Sequence, residues 1–117
     1  QHAEGHHLMG QIARDLGDFD LAKKVLTTAL YLRPCAAYYH TMGTVYAAMG
    51  YTDESLASFN QALGMDPNHA DAHADLGLGL IRMRQIEKAK PHLQKALNLI
   101  PKDTERSLAI QCALDLV

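Results

Sequence analysis

An all-α fold of about seven helices, arranged as three similar helix pairs and a closing helix, is predicted by three observations. The chain nearly repeats itself every 33 or 34 residues. Within each copy apolar residues recur at helical spacing, as Met9, Ile12, Ala13 and Leu16 do in the first. Glycine and proline, the residues that end helices, stand at matching places in successive copies. Read from Tyr39, the middle copy carries Met42, Gly43, Tyr46, Ser55, Phe59, Ala62 and Pro67. The following copy has His73, Leu76, Gly77, Leu80, Ala89, Leu93, Ala96 and Pro101 at those places. The preceding copy has His6, Met9, Gly10, Ala13, Ala22, Leu26, Ala29 and Pro34.

This pattern, large-x2-Leu-Gly-x2-Tyr, then Ala-x3-Phe and a closing Pro, resembles the tetratricopeptide repeat. The resemblance spans residues 3 to 103 in three consecutive units. It departs from the family at the usual tryptophan, replaced by His6, Tyr39 and His73, and at Ala13, which stands for a large residue. The resemblance implies an α-α superhelix, a right-handed solenoid of antiparallel helix pairs. Its first helices would line a concave groove that holds a peptide or partner helix, in a binding module rather than a catalyst.

Taken in order, the first repeat covers about residues 3–35. The signature places helices at about Glu4 to Leu16 and Asp20 to Leu32, with a turn at Gly17-Asp18. Gly17 accepts a positive φ without a Cβ clash, and Pro34 forbids continuation of the second helix. The second repeat, 36–69, ends its first helix at Gly50, and Thr52 or Asp53 is expected to cap the next. Asp66-Pro67-Asn68 leads into the third repeat, 70–103, with Asn68 as the expected cap and Asp71 favoured by the helix dipole. There Arg84 replaces the turn glycine, and Pro91 falls early in a helix starting near Ile86, removing about one backbone bond. Residues 104–117 break the repeat and read as a capping helix, which such arrays need because each repeat buries its face only against neighbours. Gly10, Gly43 and Gly77 permit close approach within each pair, opposite Ala22, Ala29, Ala62, Ala89, Ala96 and Ser55.

The 117 residues form a single domain, 1–117, with 48% hydrophobic and 21% charged residues, a soluble composition able to bury a core. A net charge of -2 argues against a nucleic-acid surface, which needs a basic face. No apolar run reaches the roughly 18–20 residues that span a bilayer. No signal peptide is visible, so a cytoplasmic location is favoured. Cys35 and Cys112, 77 residues apart, make neither a disulfide framework nor a zinc pattern.

The groove follows from geometry. Residues one place beyond the core stripe of each first helix turn by about 100° and form a neighbouring stripe. That stripe offers His7, Gln11 and Arg14, then Ala37, His40, Thr44 and Ala47, then Asp71, Ala74, Leu78 and Ile81. It runs from polar and mixed, through small, to apolar beside acids. Some family members grip the acidic tail of heat-shock chaperones through lysine, arginine and asparagine. The corresponding places here are His7, Gln11, Thr41, Asp71 and Asp75, and two carboxylates would repel that ligand.

Seven histidines raise a metal reading, with His69 and His73 one turn apart, but no third ligand is fixed by spacing. They are read as structural, and no metal or cofactor is expected. No nucleophile elbow, phosphate loop or HExxH occurs, and Gly77-x-Gly79 lies inside a helix rather than after a strand. The function expected is protein–protein binding by an adaptor or scaffold. The alternatives are a regulatory or targeting part of a larger enzyme and a chaperone of secreted proteins. The wide apolar face of the last helix, with Leu108, Ile110, Cys112, Leu114 and Leu116, further suggests self-association or a second helical neighbour.

Overall fold

Apolar stripes at helical spacing become seven helices in the computed structural model, which describes residues 2–102 and 104–116. They are α1 (Ala3–Asp15), α2 (Phe19–Leu32), α3 (Ala36–Met49), α4 (Thr52–Met65), α5 (Ala70–Arg82), α6 (Ile86–Leu99) and α7 (Glu105–Leu116). Among the described residues there is no strand. Among those residues, too, no helix is long and apolar enough to cross a membrane. Consecutive helices pack on one another, and α1 also touches α3, so the first helices share one side of the array.

Each pair closes on a glycine. A Cβ built on Gly43 would stand 2.5 Å from Phe59 Cε1, and one on Gly10 or Gly77 would stand 2.7 Å from a Leu26 or Leu93 side-chain carbon. The alanines opposite are fully buried. Ser55 keeps the same small volume and donates its hydroxyl to the Gly43 carbonyl at 2.8 Å.

All three intra-pair turns are built alike. In each, one N–H bonds back to a carbonyl three residues earlier and the next N–H to one five earlier, a Schellman closure. The longer bonds run from Asp18 to Ala13, Tyr51 to Tyr46 and Gln85 to Leu80, at 2.8–2.9 Å. The closure needs a left-handed residue, supplied by Gly17 at φ +83° and Gly50 at +84°. Arg84 takes the same conformation at φ +62°, so the turn forms without its glycine at a cost in strain.

The caps differ from expectation. Thr52 is already helical and Tyr51 holds the cap position with no side-chain bond. Asn68 does not cap α5 either. Its N–H bonds to Asp66 Oδ1 in a local turn, and the chain starts the helix one residue later. There His69 Nδ1 accepts from the Ala72 N–H at 3.1 Å. At α2, Asp18 caps by accepting from Leu21.

The closing helix is also rolled differently from its polar wheel. Ser107, although polar, is buried, as is Ile110. Ile110, with Ala113 and Leu114, packs against Ala74, Leu93 and Ala96. Two polar anchors set that roll. Thr104 Oγ1 accepts from the Ser107 N–H, and Arg106 reaches α5. The broad apolar face is thereby split, and Leu108, Cys112 and Leu116 are left outward.

Candidate protein-binding groove

The side shared by α1, α3 and α5 is crossed by polar ties between neighbouring first helices. His7 Nε2 lies 2.8 Å from Thr41 Oγ1. Because that hydroxyl already donates to the Ala37 carbonyl, the imidazole N–H is the donor. Arg14 Nη1 donates to Thr44 Oγ1 at 2.7 Å. His40 Nε2 donates to Asp75 Oδ2 at 2.7 Å, joining α3 to α5. Arg106 of α7 then spans Asp71 at 3.2 Å and Asp75 at 2.8 Å.

Burial shapes the charges here. It lowers the His7 pKa, helped by the Arg14 charge, and lowers that of His69, helped by His40. Burial alone would raise Asp75, but the bond from His40 and the charge of Arg106 outweigh it and hold the carboxyl below its ordinary value.

Several residues expected to meet a partner therefore meet each other. His7, Arg14, His40, Thr44 and Asp71 are all engaged in these ties. Gln11 is half-buried and Ala37 exposed on the same helices. Ala74 is buried beneath α7 and out of reach. Leu78 and Ile81 lean on the cluster around Ile110, and Leu78 keeps a second side open.

That open side faces a pocket of about 160 Å³ between α3, α4 and α5. Thr44, Ala47, Leu56, Phe59, Leu78 and Gly79 line it, with Asp75 and Arg82 among its walls. Arg82, Leu56 and Arg106 were not legible as groove residues from a single helical stripe. Arg82 lies one turn beyond Leu78, and the other two come from α4 and α7. The histidines also pair differently from their spacing. His69 serves as a cap, while His73 Nδ1 meets His92 Nδ1 at 3.1 Å and its Nε2 donates to the Pro67 carbonyl.

A stacked array of helix pairs with a pocketed face on its first helices defines a helical-repeat protein. The tetratricopeptide repeat profile matches residues 46–112 and, in a second form, residues 3–34. The chain belongs to the tetratricopeptide repeat family. The protein SGT1 homolog of Oryza sativa subsp. japonica is 27% identical over 88 residues, 74% of this chain. The chain spans only 24% of that relative's length. The type III secretion translocator chaperone SycD of Yersinia enterocolitica superposes with a TM-score of 0.89 at 19% identity, over 98% of this chain and 89% of that one. The first tetratricopeptide domain of Spaghetti (RPAP3), solved with the HSP90 peptide SRMEEVD, gives 0.87 at 19%, covering 98% and 97%. MamA gives 0.81 at 21%, covering 97% and 67%. The first two likenesses establish the right-handed superhelical fold.

Proposed function

We propose that this chain is a non-catalytic protein-binding module that holds a peptide or helix of a partner protein along α1, α3 and α5. The observation that carries this reading is the pocket beside Leu78, lined by the apolar Ala47, Leu56 and Phe59 together with the charged Asp75 and Arg82. It suits one apolar anchor side chain of a partner, with polar groups to orient it. His7, Gln11, Arg14, Ala37, His40, Thr44, Asp71, Leu78 and Ile81 form the proposed binding face. Nucleic acid is no part of the reading, and a cytoplasmic location is retained within it. SycD is a type III secretion translocator chaperone and the RPAP3 domain was solved with an HSP90 peptide, so both adaptor and chaperone roles fall within it.

The test compares partners captured from the native lysate by the parent, Leu78→Glu and Tyr31→Glu, the last on an exposed side of α2. Burying a leucine-sized anchor is worth about 1.5–3 kcal/mol, so Leu78→Glu should weaken a groove partner about 10- to 100-fold. Tyr31→Glu should retain it. Loss in Tyr31→Glu with retention in Leu78→Glu places the site elsewhere. Self-association through Leu108, Cys112 and Leu116 is a second reading, supported by their outward position and tested by sedimentation across concentration.

A further inference from the structure

Three open depressions of the same build follow one another along the array. Each has a first helix as its floor and the second helix of its own pair as one wall. In the second pair these are Tyr39 and Met42 with Glu54 and Ser58, and in the third Leu76 and Leu80 with Lys88 and His92. In the first they are His6 and Met9 with Leu21 and Val25. The preceding pair closes the later two, through Leu30 in one and through Leu56 and Asn60 in the other. The first has no such wall, and its volume is about 570 Å³ against about 310 and 390 Å³.

Burial tells the same story. Met42, Val45 and Leu76, covered by the preceding pair, are 7%, 0% and 2% exposed. Met9 and Ile12 hold the places of Met42 and Val45 in the first repeat and are 47% and 45% exposed. Gly5, counterpart of the buried Tyr38 and Ala72, has nothing within 4 Å of where a Cβ would stand. The second-helix wall is also apolar only here, with Leu21 and Val25 where the other pairs carry Glu54 and Ser58, or Lys88 and His92.

We infer that this face seats one further helix pair of the same kind, carried by the same polypeptide ahead of Gln1 and packed on α1 as α2 packs on α3. The chain itself specifies the occupant. All three second helices read small-x3-large-x2-Ala-Leu: Ala22, Leu26, Ala29, Leu30; Ser55, Phe59, Ala62, Leu63; and Ala89, Leu93, Ala96, Leu97. In α2 and α4 that spacing covers the next pair, whereas in α6 it lies under Ile110 of α7. A second copy of this chain thus has no uncovered helix of the required kind. A short turn from the same polypeptide delivers one at high effective concentration.

Two measurements test this. The coding sequence ahead of Gln1 should carry the small-x3-large-x2-Ala-Leu spacing, and its absence there overturns the inference. For the surface itself, residues 36–69 are copied directly ahead of Ala3 in the full chain, recreating the junction of His69 with Ala70. With Cys35→Ser, Cys112→Ser and Met9→Cys, labelling of the new thiol should slow about tenfold or more relative to the chain without the copy. Phe59→Asp with Leu63→Asp in the added copy should restore fast labelling. If the added pair is helical yet position 9 labels as before, the surface does not seat such a pair. If the chain without the copy already labels slowly and sediments as a dimer, a second copy is the occupant and the inference fails.

Discussion

Gly43→Ala isolates the close approach that each helix pair depends on. In an open helix, glycine to alanine gains about 0.5–1 kcal/mol from propensity alone. Gly64, in α4 with nothing within 4 Å of a Cβ, offers that open case. At Gly43 the same methyl would stand 2.5 and 2.6 Å from two Phe59 ring carbons. Carbon atoms prefer about 3.5–4.0 Å, so the buried ring or α4 itself must yield by about 1 Å. Overpacking of that kind costs about 1–3 kcal/mol. Propensity cancels between the variants, so Gly43→Ala should fall below Gly64→Ala by the overpacking alone, about 1–3 kcal/mol. At roughly 4 °C per kcal/mol for a chain of this size, the melting gap is about 4–12 °C by far-ultraviolet circular dichroism. In a Phe59→Ala background the penalty should vanish, because the ring that collides is gone. Equal melting of the two single variants would refute the reasoning, as would an undiminished penalty in the Phe59→Ala background.

Arg84→Gly should stabilise the protein by about 0.5–1 kcal/mol by relieving the left-handed strain, read as a higher urea midpoint. Burial lowers the pKa of His7, His69 and His92 below 6.5. The unfolded chain therefore takes protons first on acidification. Stability should be full above pH 6.5 and decline as pH falls through 6.5 towards the lower folded values. His92→Gln should flatten that slope in urea titrations at successive pH values. Ile110→Asp should release α7 and expose its amides to hydrogen exchange, whereas Leu108→Lys should change stability by no more than about 0.5 kcal/mol.

Repetition is why so much of the fold was legible. Gly10, Gly43 and Gly77 recur at one place because each must admit the same neighbour, and that requirement shows in sequence as a period. Arg84 was visible as a departure, but its conformation follows from the Schellman bonds that its neighbours make regardless of side chain. The groove was harder to read. Helical geometry placed His40 and Asp75 on one side of their helices, yet only packing brings them within hydrogen-bond distance across 35 residues. Arg106 belongs to no repeat, so no period pointed to its role between Asp71 and Asp75. The buried state of Ser107 was hidden for the same reason, since α7 is rolled by individual anchors rather than by its apolar wheel.

The polar ties across α1, α3, α5 and α7 give the array two unlike sides, somewhat as in a bimetallic strip. One side is held by directional, partly charged bonds, and the other by contact between carbon atoms. Added sulfate or phosphate screens the first and strengthens the second. Acid charges His7 within the ties and His92 on α6, so the two sides meet it at different places. Changes in ionic strength or pH that leave every helix intact should therefore alter the curvature of the whole superhelix. The width of the face offered to a partner becomes a property of the solution as well as of the sequence.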